Sequence, residues 1–272
     1  MTISQAILLG IIQGLTELLP VSSSAHLVIA QSFMPNFRQP GVLFDAVLHM
    51  GTLLSVLYFF RKDIIAMILS LLPVTAGTPQ TTGQKKTHRK LIFLLLISTI
   101  ITAGVGLSFK VEIEALYSSV KVALLMLFVT GAILFLSDKV KYASRKEGDM
   151  SLLDACLIGF VQSLALLPGI SRSGSTIVCG IFLGLTRETA ARYSFLLSIP
   201  AILGAVILES RHFSAIAKND ISPYILGFIA AAVTGFLALH MLYFIIKRAR
   251  LRIFAYYCWI LSGSILLFLW YN

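Results

Sequence analysis

The chain has 272 residues, 57% of them hydrophobic and only 12% charged, with a net charge of +10 and a mean hydropathy of +0.89. A soluble domain carries about 25% charged residues, so a soluble enzyme is excluded, and apolar runs that are continuous rather than alternating exclude a membrane β-barrel. The basic balance reads as Lys- and Arg-rich loops facing anionic headgroups, not as a nucleic-acid surface, because the aromatic interleaving of a single-strand binder is missing.

In chain order, residues 3–16 form a helix-competent apolar run that stops near Pro20, and residues 24–33 resume it. Neither piece can span alone; a proline and a serine cluster between two short apolar arms mark a re-entrant hairpin or broken helix. Residues 31–43, with Pro35, Pro40 and Gly41, form a loop, and 44–60 span. Residues 61–90 read as a polar loop whose centre, Gly77 to Gly83, is expected to move. Residues 91–109 span, 110–120 connect, 121–137 span, and 138–150 form a charged connector. Residues 152–168 are again apolar and again end at a proline. Residues 174–185 resume after a Ser/Gly cluster, which predicts a second hairpin. Three further spans follow at 193–210, 223–246 and 253–270. Cys156, Cys179 and Cys258 lie in apolar segments without a CxxC pair, so neither zinc nor a disulfide framework is expected. The N-terminus lacks the basic region and cleavage site of a signal peptide.

The charge distribution fixes an orientation. Segments 61–90, 138–150, 186–192 and 247–252 hold 16 Lys/Arg, whereas 31–43, 109–121 and 211–222 hold five. The positive-inside bias puts the first set in the cytoplasm and both termini outside, provided each hairpin returns to the side it entered. The halves also resemble each other. At an offset of 149, eight identities fall within 6–31, among them Gly10/Gly159, Gln13/Gln162, Ser22/Ser171 and Ser24/Ser173. The expected fold is an all-α polytopic membrane protein, one membrane domain over 1–272. It is an inverted-topology repeat of about 1–149 and 150–272, each half a re-entrant hairpin plus three transmembrane helices. Such repeats place their site near the midplane, where the tips meet.

The tips carry chemistry. Gln13 and Glu17 share one helix face, and a carboxylate at membrane depth must face a cavity or a partner. Glu17 can bind a divalent cation, tune His26 as acid or base, or simply pair with Arg172. Ser22, Ser23 and Ser24 suit N-cap positions whose backbone N–H groups face an anion. Ser171, Ser173, Ser175 and Thr176, around Gly169 and Gly174, make the same arrangement in the second half. Arg172 adds the side chain suited to bidentate phosphate contact. His26 can act as nucleophile, acid or base. Asp45 and His49, four apart, read equally as support for the site or as interfacial residues. The pattern describes a phosphate-binding, phosphate-cleaving site reached from the membrane, without a Walker loop.

Three motifs together, Gln13…Glu17, His26 and Pro168-Gly169-Ile170-Ser171-Arg172-Ser173-Gly174-Ser175-Thr176, resemble the undecaprenyl pyrophosphate phosphatase family of the bacitracin-resistance type. Length and hydropathy agree along the whole chain. The family pattern is (E/Q)xxxE; Gln13 stands where many relatives have Glu, which weakens a metal role there. The resemblance implies hydrolysis of undecaprenyl diphosphate to undecaprenyl phosphate, bacitracin resistance, a divalent cation (Mg²⁺ or Ca²⁺), and a multi-pass protein of the bacterial cytoplasmic membrane with its site open to the outer side. The catalytic set is then Glu17, Ser23, His26 and Arg172, with Ser23 or His26 as nucleophile. The diphosphate set is Ser22, Ser24, Ser171, Ser173, Gly174 and Thr176, and the cation sits on Glu17 and Gln13. Expected partners are the polyprenyl diphosphate and membrane lipids; glycine-rich stretches such as 98–106 also admit a homodimer. The rival reading is a transporter that flips a polyprenyl phosphate, with or without hydrolysis. A structural scaffold leaves Glu17, His26 and Arg172 unexplained.

Overall fold

The computed structural model describes residues 1–34, 37, 42–73, 80–140, 143–209, 221–248 and 251–271. Among these the protein is all-α. A capping box on Thr2 and Gln5 opens α1 (Ile3–Leu18), and Pro20 closes the segment because it cannot donate to a continuing ladder. A tight turn leads into α2 (Ser23–Phe33) and then α3 (Val42–Phe59). The remaining helices are α4 (Arg61–Leu71), α5 (Thr82–Ser108), α6 (Lys110–Leu116), α7 (Val120–Ser137), α8 (Leu152–Leu164), α9 (Arg172–Phe182), α10 (Arg187–Glu209), α11 (Ile221–Arg248) and α12 (Arg252–Tyr271). Five of them, α5, α7, α10, α11 and α12, are long and apolar enough to cross a bilayer, and α3 with α4 forms a pair bent by 73°. The protein is therefore a multi-pass helical membrane protein. α1 and α8 are apolar but shorter.

Five of the six expected spans fall where hydropathy puts them; the other, 44–60, is α3, the first arm of the bent pair, and the segment 61–90 departs from a loop. It contains α4 and the first turns of α5. Lys85, a presumed loop charge from sequence, is buried and donates from Nζ to the carbonyls of Leu72 (3.4 Å) and Pro73 (3.1 Å). Arg89 Nε donates to Ser70 O at 2.6 Å. The two cations satisfy carbonyls that the end of α4 leaves without intrahelical partners. Ile65, Ile68, Leu71 and Leu72 remain exposed, the pattern of a helix lying along a membrane surface. Residues 77–79 of the expected mobile centre lie outside the described residues, as do 35, 36 and 38–41 of the 31–43 loop. The connector 110–120 also holds a helix, α6, and α10 begins six residues before its apolar run.

Helix packing crosses the chain's midpoint. α1 lies against α11, and α8 against α5; α3 packs on α10 and α7 on α12. Close approach is possible because glycines sit at the crossings. A Cβ on Gly10 would lie 2.4 Å from Gly227 O, and one on Gly159 would lie 2.7 Å from Ser98 Cα. At one end of the bundle the basic connectors converge. Arg192 pairs with both Asp63 and Glu147. Asp138 accepts from Arg187 at 3.1 Å and lies 3.8 Å from Arg252. Lys90 Nζ donates to Gly148 O at 2.8 Å. Segments 61–90, 138–150 and 186–192 thus share one end, and Arg252 joins them.

Candidate active site

The site is built where two turns touch. α1 carries Gln13 and Glu17 on one face and ends at Leu18. The turn after it places Ser22 at φ 66°, with its side chain capping α2 through Ala25 N–H. In the second half, Gly169 at φ +103° allows a turn that brings Ser171 to cap α9, accepting from Gly174 N–H at 3.0 Å. Each turn then bonds the other's backbone. Gly169 N–H donates to Ser24 Oγ at 3.1 Å, and Ser173 Oγ donates to Leu19 O at 3.2 Å. Thr130 of α7 fixes the second turn from behind, donating to Gly169 O (2.8 Å) and accepting from Ser171 N–H (3.0 Å).

Glu17 is the centre. Ser23, the first residue of α2, donates from Oγ to Glu17 Oε2 at 2.6 Å. Arg172, the first residue of α9, donates from Nη2 to Glu17 Oε1 at 2.8 Å. Glu17 is only 8% exposed, so without the guanidinium its charge would be stranded in a low-dielectric interior. The second Arg172 nitrogen, Nη1, donates to Ser194 O at 3.3 Å. Gln13 Nε2 lies 3.2 Å from Glu17 Oε2 and 2.8 Å from His49 Nδ1, which is itself 3.3 Å from Glu17 Oε2. Gln13 Oε1 is buried without a hydrogen-bond partner among the described residues. The N–H groups of Ser23, Ser24, Arg172 and Ser173, the orphan donors of two helix starts, have no acceptor among the described residues.

The sequence-predicted residues divide by position. Gln13, Glu17, Ser23 and Arg172 form one hydrogen-bonded cluster. Ser22 and Ser171 are helix caps, and Ser24 and Ser173 tie the turns together. Gly174 brings the turns close, a Cβ there lying 3.3 Å from Pro20 Cβ. Thr176 Oγ1 bonds Arg172 O at 2.7 Å and Ser194 Oγ at 2.6 Å, which braces the helix start that carries Arg172. His26 is one turn from Ser22 but bonds neither Glu17 nor Ser23: Nδ1 is 2.7 Å from Ser22 O and Nε2 is 2.7 Å from Tyr257 Oη. Asp45 accepts from Gln31 Nε2 at 3.2 Å and lies one helical turn from His49 on α3. His49 was visible in sequence only as half of an i,i+4 pair. Thr130, Ser194 and Tyr257 carry no local signal, because each comes from a different distant helix.

A divalent cation finds few protein donors. Among the described residues no three His, Cys, Asp or Glu side chains could hold a metal. The unpartnered Gln13 amide oxygen and the Glu17 carboxylate are hard oxygen donors of the kind Mg²⁺ and Ca²⁺ take, and Mg²⁺ usually combines one or two such groups with substrate phosphates. The donor set fits a cation that shares its shell with a diphosphate.

Residues 6–264 match the family described as bacitracin resistance protein BacA. The chain is similar to proteins named undecaprenyl-diphosphatase from several organisms. That of Syntrophotalea carbinolica is 43% identical over 97% of both chains. That of Methanobrevibacter smithii is 41% identical over 96% of both. That of Desulfosudis oleivorans is 44% identical over 95% of this chain and 96% of its own.

Proposed function

The chain belongs to the bacitracin resistance protein BacA family, and from that premise we infer that it hydrolyses undecaprenyl diphosphate to undecaprenyl phosphate and inorganic phosphate. The observation that carries the reading is one buried carboxylate, Glu17, hydrogen-bonded at once to a serine hydroxyl and to an arginine from the opposite turn. The relatives' shared name favours hydrolysis over transport alone.

In the proposed reaction Ser23 attacks the terminal phosphorus. Its proton passes to Glu17 Oε2, which already accepts from it. The bond from the terminal phosphorus to the bridging oxygen breaks, and undecaprenyl phosphate leaves with the proton that Glu17 took up. Water then attacks the phosphoserine and gives a proton to Glu17, which returns it to Ser23 Oγ as the phosphorus–Ser23 oxygen bond breaks and phosphate is released. This assignment follows from contact: Ser23 touches the base and His26 does not. Arg172 and the free N–H groups of the two helix starts neutralise the diphosphate. Ser22, Ser24, Ser171, Ser173, Gly174 and Thr176 hold those donors in register. A bound divalent cation, Mg²⁺ or Ca²⁺, would be held by Glu17 and Gln13 Oε1 and would supply charge neutralisation at the phosphoryl oxygens.

The finer architecture we propose is the inverted repeat with two re-entrant hairpins, α1–α2 and α8–α9. Its support is that positions 149 apart do matching jobs. Gly10 and Gly159 make the two close crossings. Gln13 and Gln162 each keep a buried amide oxygen without a partner among the described residues. Ser22 and Ser171 each cap a second arm. Ser23 and Arg172 are equivalent and grip the two oxygens of Glu17. The gathering of Arg145, Arg187, Arg192 and Arg252 at one end supports a cytoplasmic basic end, with the site opening outward and the termini outside. A homodimer would form on α5, where Gly104 fronts open space.

The deciding experiment is phosphate release from undecaprenyl diphosphate by purified protein in detergent, with and without chelator. Release that stops with chelator and returns with Mg²⁺ is the expected result. No release by the intact protein would overturn the hydrolase reading, since detergent leaves no compartments for transport.

A further inference from the structure

We propose that Tyr257 is a positioning residue for this reaction, acting through His26 on the turn that presents Ser23. The proposal rests on Ser23 being the attacking group. Both ring nitrogens of His26 are committed. Nδ1 lies 2.7 Å from the Ser22 carbonyl oxygen. A carbonyl only accepts, so Nδ1 carries the proton, and in a neutral ring Nε2 is then an acceptor. The Tyr257 hydroxyl lies 2.7 Å from Nε2 and donates to it. The two rings are parallel, 0° between planes, with centroids 5.6 Å apart. The tautomer is therefore set from both sides.

The held atom matters because of where it sits. Ser22 is the only non-glycine residue at positive φ among the described residues, a conformation that persists only when its surroundings impose it. Its carbonyl is clamped by the His26 ring and by the His26 backbone N–H at 3.3 Å. The next residue is Ser23, whose hydroxyl is 2.6 Å from Glu17. A rotation of the Ser22 peptide would carry Ser23 off the carboxylate. Tyr257 belongs to α12, the last helix, and reaches the turn 231 residues back along the chain. The path runs from Tyr257 O–H to the His26 ring, from the His26 ring N–H to Ser22 O, and through the Ser22–Ser23 peptide bond to the placement of Ser23.

The test measures phosphate release from undecaprenyl diphosphate in detergent for the intact chain, Tyr257→Phe, His26→Ala and the double variant. Losing one neutral hydrogen bond that acts on the reactive geometry should lower kcat about tenfold and leave KM within about twofold. In the His26→Ala background, Tyr257→Phe should add less than about a twofold loss, since the hydroxyl then has nothing to act on. A second readout does not need activity. In protein labelled with ¹⁵N-histidine, the His26 resonances, identified by their loss in His26→Ala, should show a neutral ring protonated at Nδ1, and Tyr257→Phe should move the Nε2 resonance. Wild-type kcat in Tyr257→Phe, an equal loss in both backgrounds, or a proton on Nε2 would overturn the proposal. Failure of the intact chain to release phosphate, or full activity in Ser23→Ala, would overturn the functional reading instead; the ¹⁵N spectra would still decide the Tyr257–His26–Ser22 linkage.

Discussion

At Glu17 the chain places one carboxylate between a hydroxyl and a guanidinium, and each bond has a distinct consequence when cut. Arg172→Ala leaves a buried anion without its cation and removes charge neutralisation from the transition state. The expected loss in kcat/KM is on the order of 10³-fold or more, read as phosphate release. Arg172→Lys should recover only a small part of it, because an ammonium cannot hold the carboxylate and Ser194 O at once with the geometry of a planar fork. Ser23→Ala should abolish turnover and leave the fold intact, because the alanine removes only a hydroxyl that donates to Glu17. Burst-phase trapping of a phosphorylated protein in the wild type, absent in Ser23→Ala, checks the covalent step. At Gln13 the amide oxygen has no hydrogen-bond partner among the described residues, and the cation proposed above would use it in place of a second carboxylate at that position.

Helices meet where side chains vanish. Gly10, Gly14 and Gly159 are the contacts by which α1 and α8 reach α11 and α5. A Cβ on Gly14 would fall 1.9 Å from Thr234 Oγ1 and 2.7 Å from Ala231 O. Gly159→Val should cost at least the ~1–3 kcal/mol typical of overpacking, since the obstructing atoms are Ser98 backbone rather than a flexible tip. Thermal melting of the purified protein reads it. Gly169→Ala adds a second penalty, because its φ of +103° disfavours any Cβ and the new atom would lie 2.2 Å from Ala123 O. It should lower both melting temperature and activity, as the same turn carries Ser171 and Arg172. The short apolar helices α1 and α8 and the long spans were legible from apolar runs and prolines. α4 was not, because the charges at 61–63 in its first turn and at 85–90 in α5 make the whole 61–90 segment read as a polar loop around Ile64–Leu72.

The whole molecule combines two similar halves into one site rather than two. At the position equivalent to Glu17 the second half has Leu166, so a single carboxylate receives both helix starts. In the proposed reaction Ser23 and Arg172, alike in position, differ in chemistry: one half supplies the nucleophile and the base, the other the guanidinium that binds the base. With both hairpins re-entrant, single cysteines introduced at Glu112 and Gly148 of a cysteine-free variant should react with an impermeant thiol reagent from opposite sides of the membrane, Glu112 from outside. Labelling of both from one side would contradict the proposed topology.

By itself the sequence determined the environment, the spans, the two broken arms and most of the residues that meet at Glu17. These rest on local properties: apolar length against bilayer thickness, proline and serine at helix ends, and carboxylate or guanidinium in an apolar run. Which bonds those residues make belonged to the tertiary structure. His49 joining Glu17, Thr130 bracing the second turn and Tyr257 holding His26 all depend on helices far apart in the chain coming within 3 Å or so of one another. A hydrogen bond needs that distance and direction, and no spacing along one strand of sequence encodes either across separate helices.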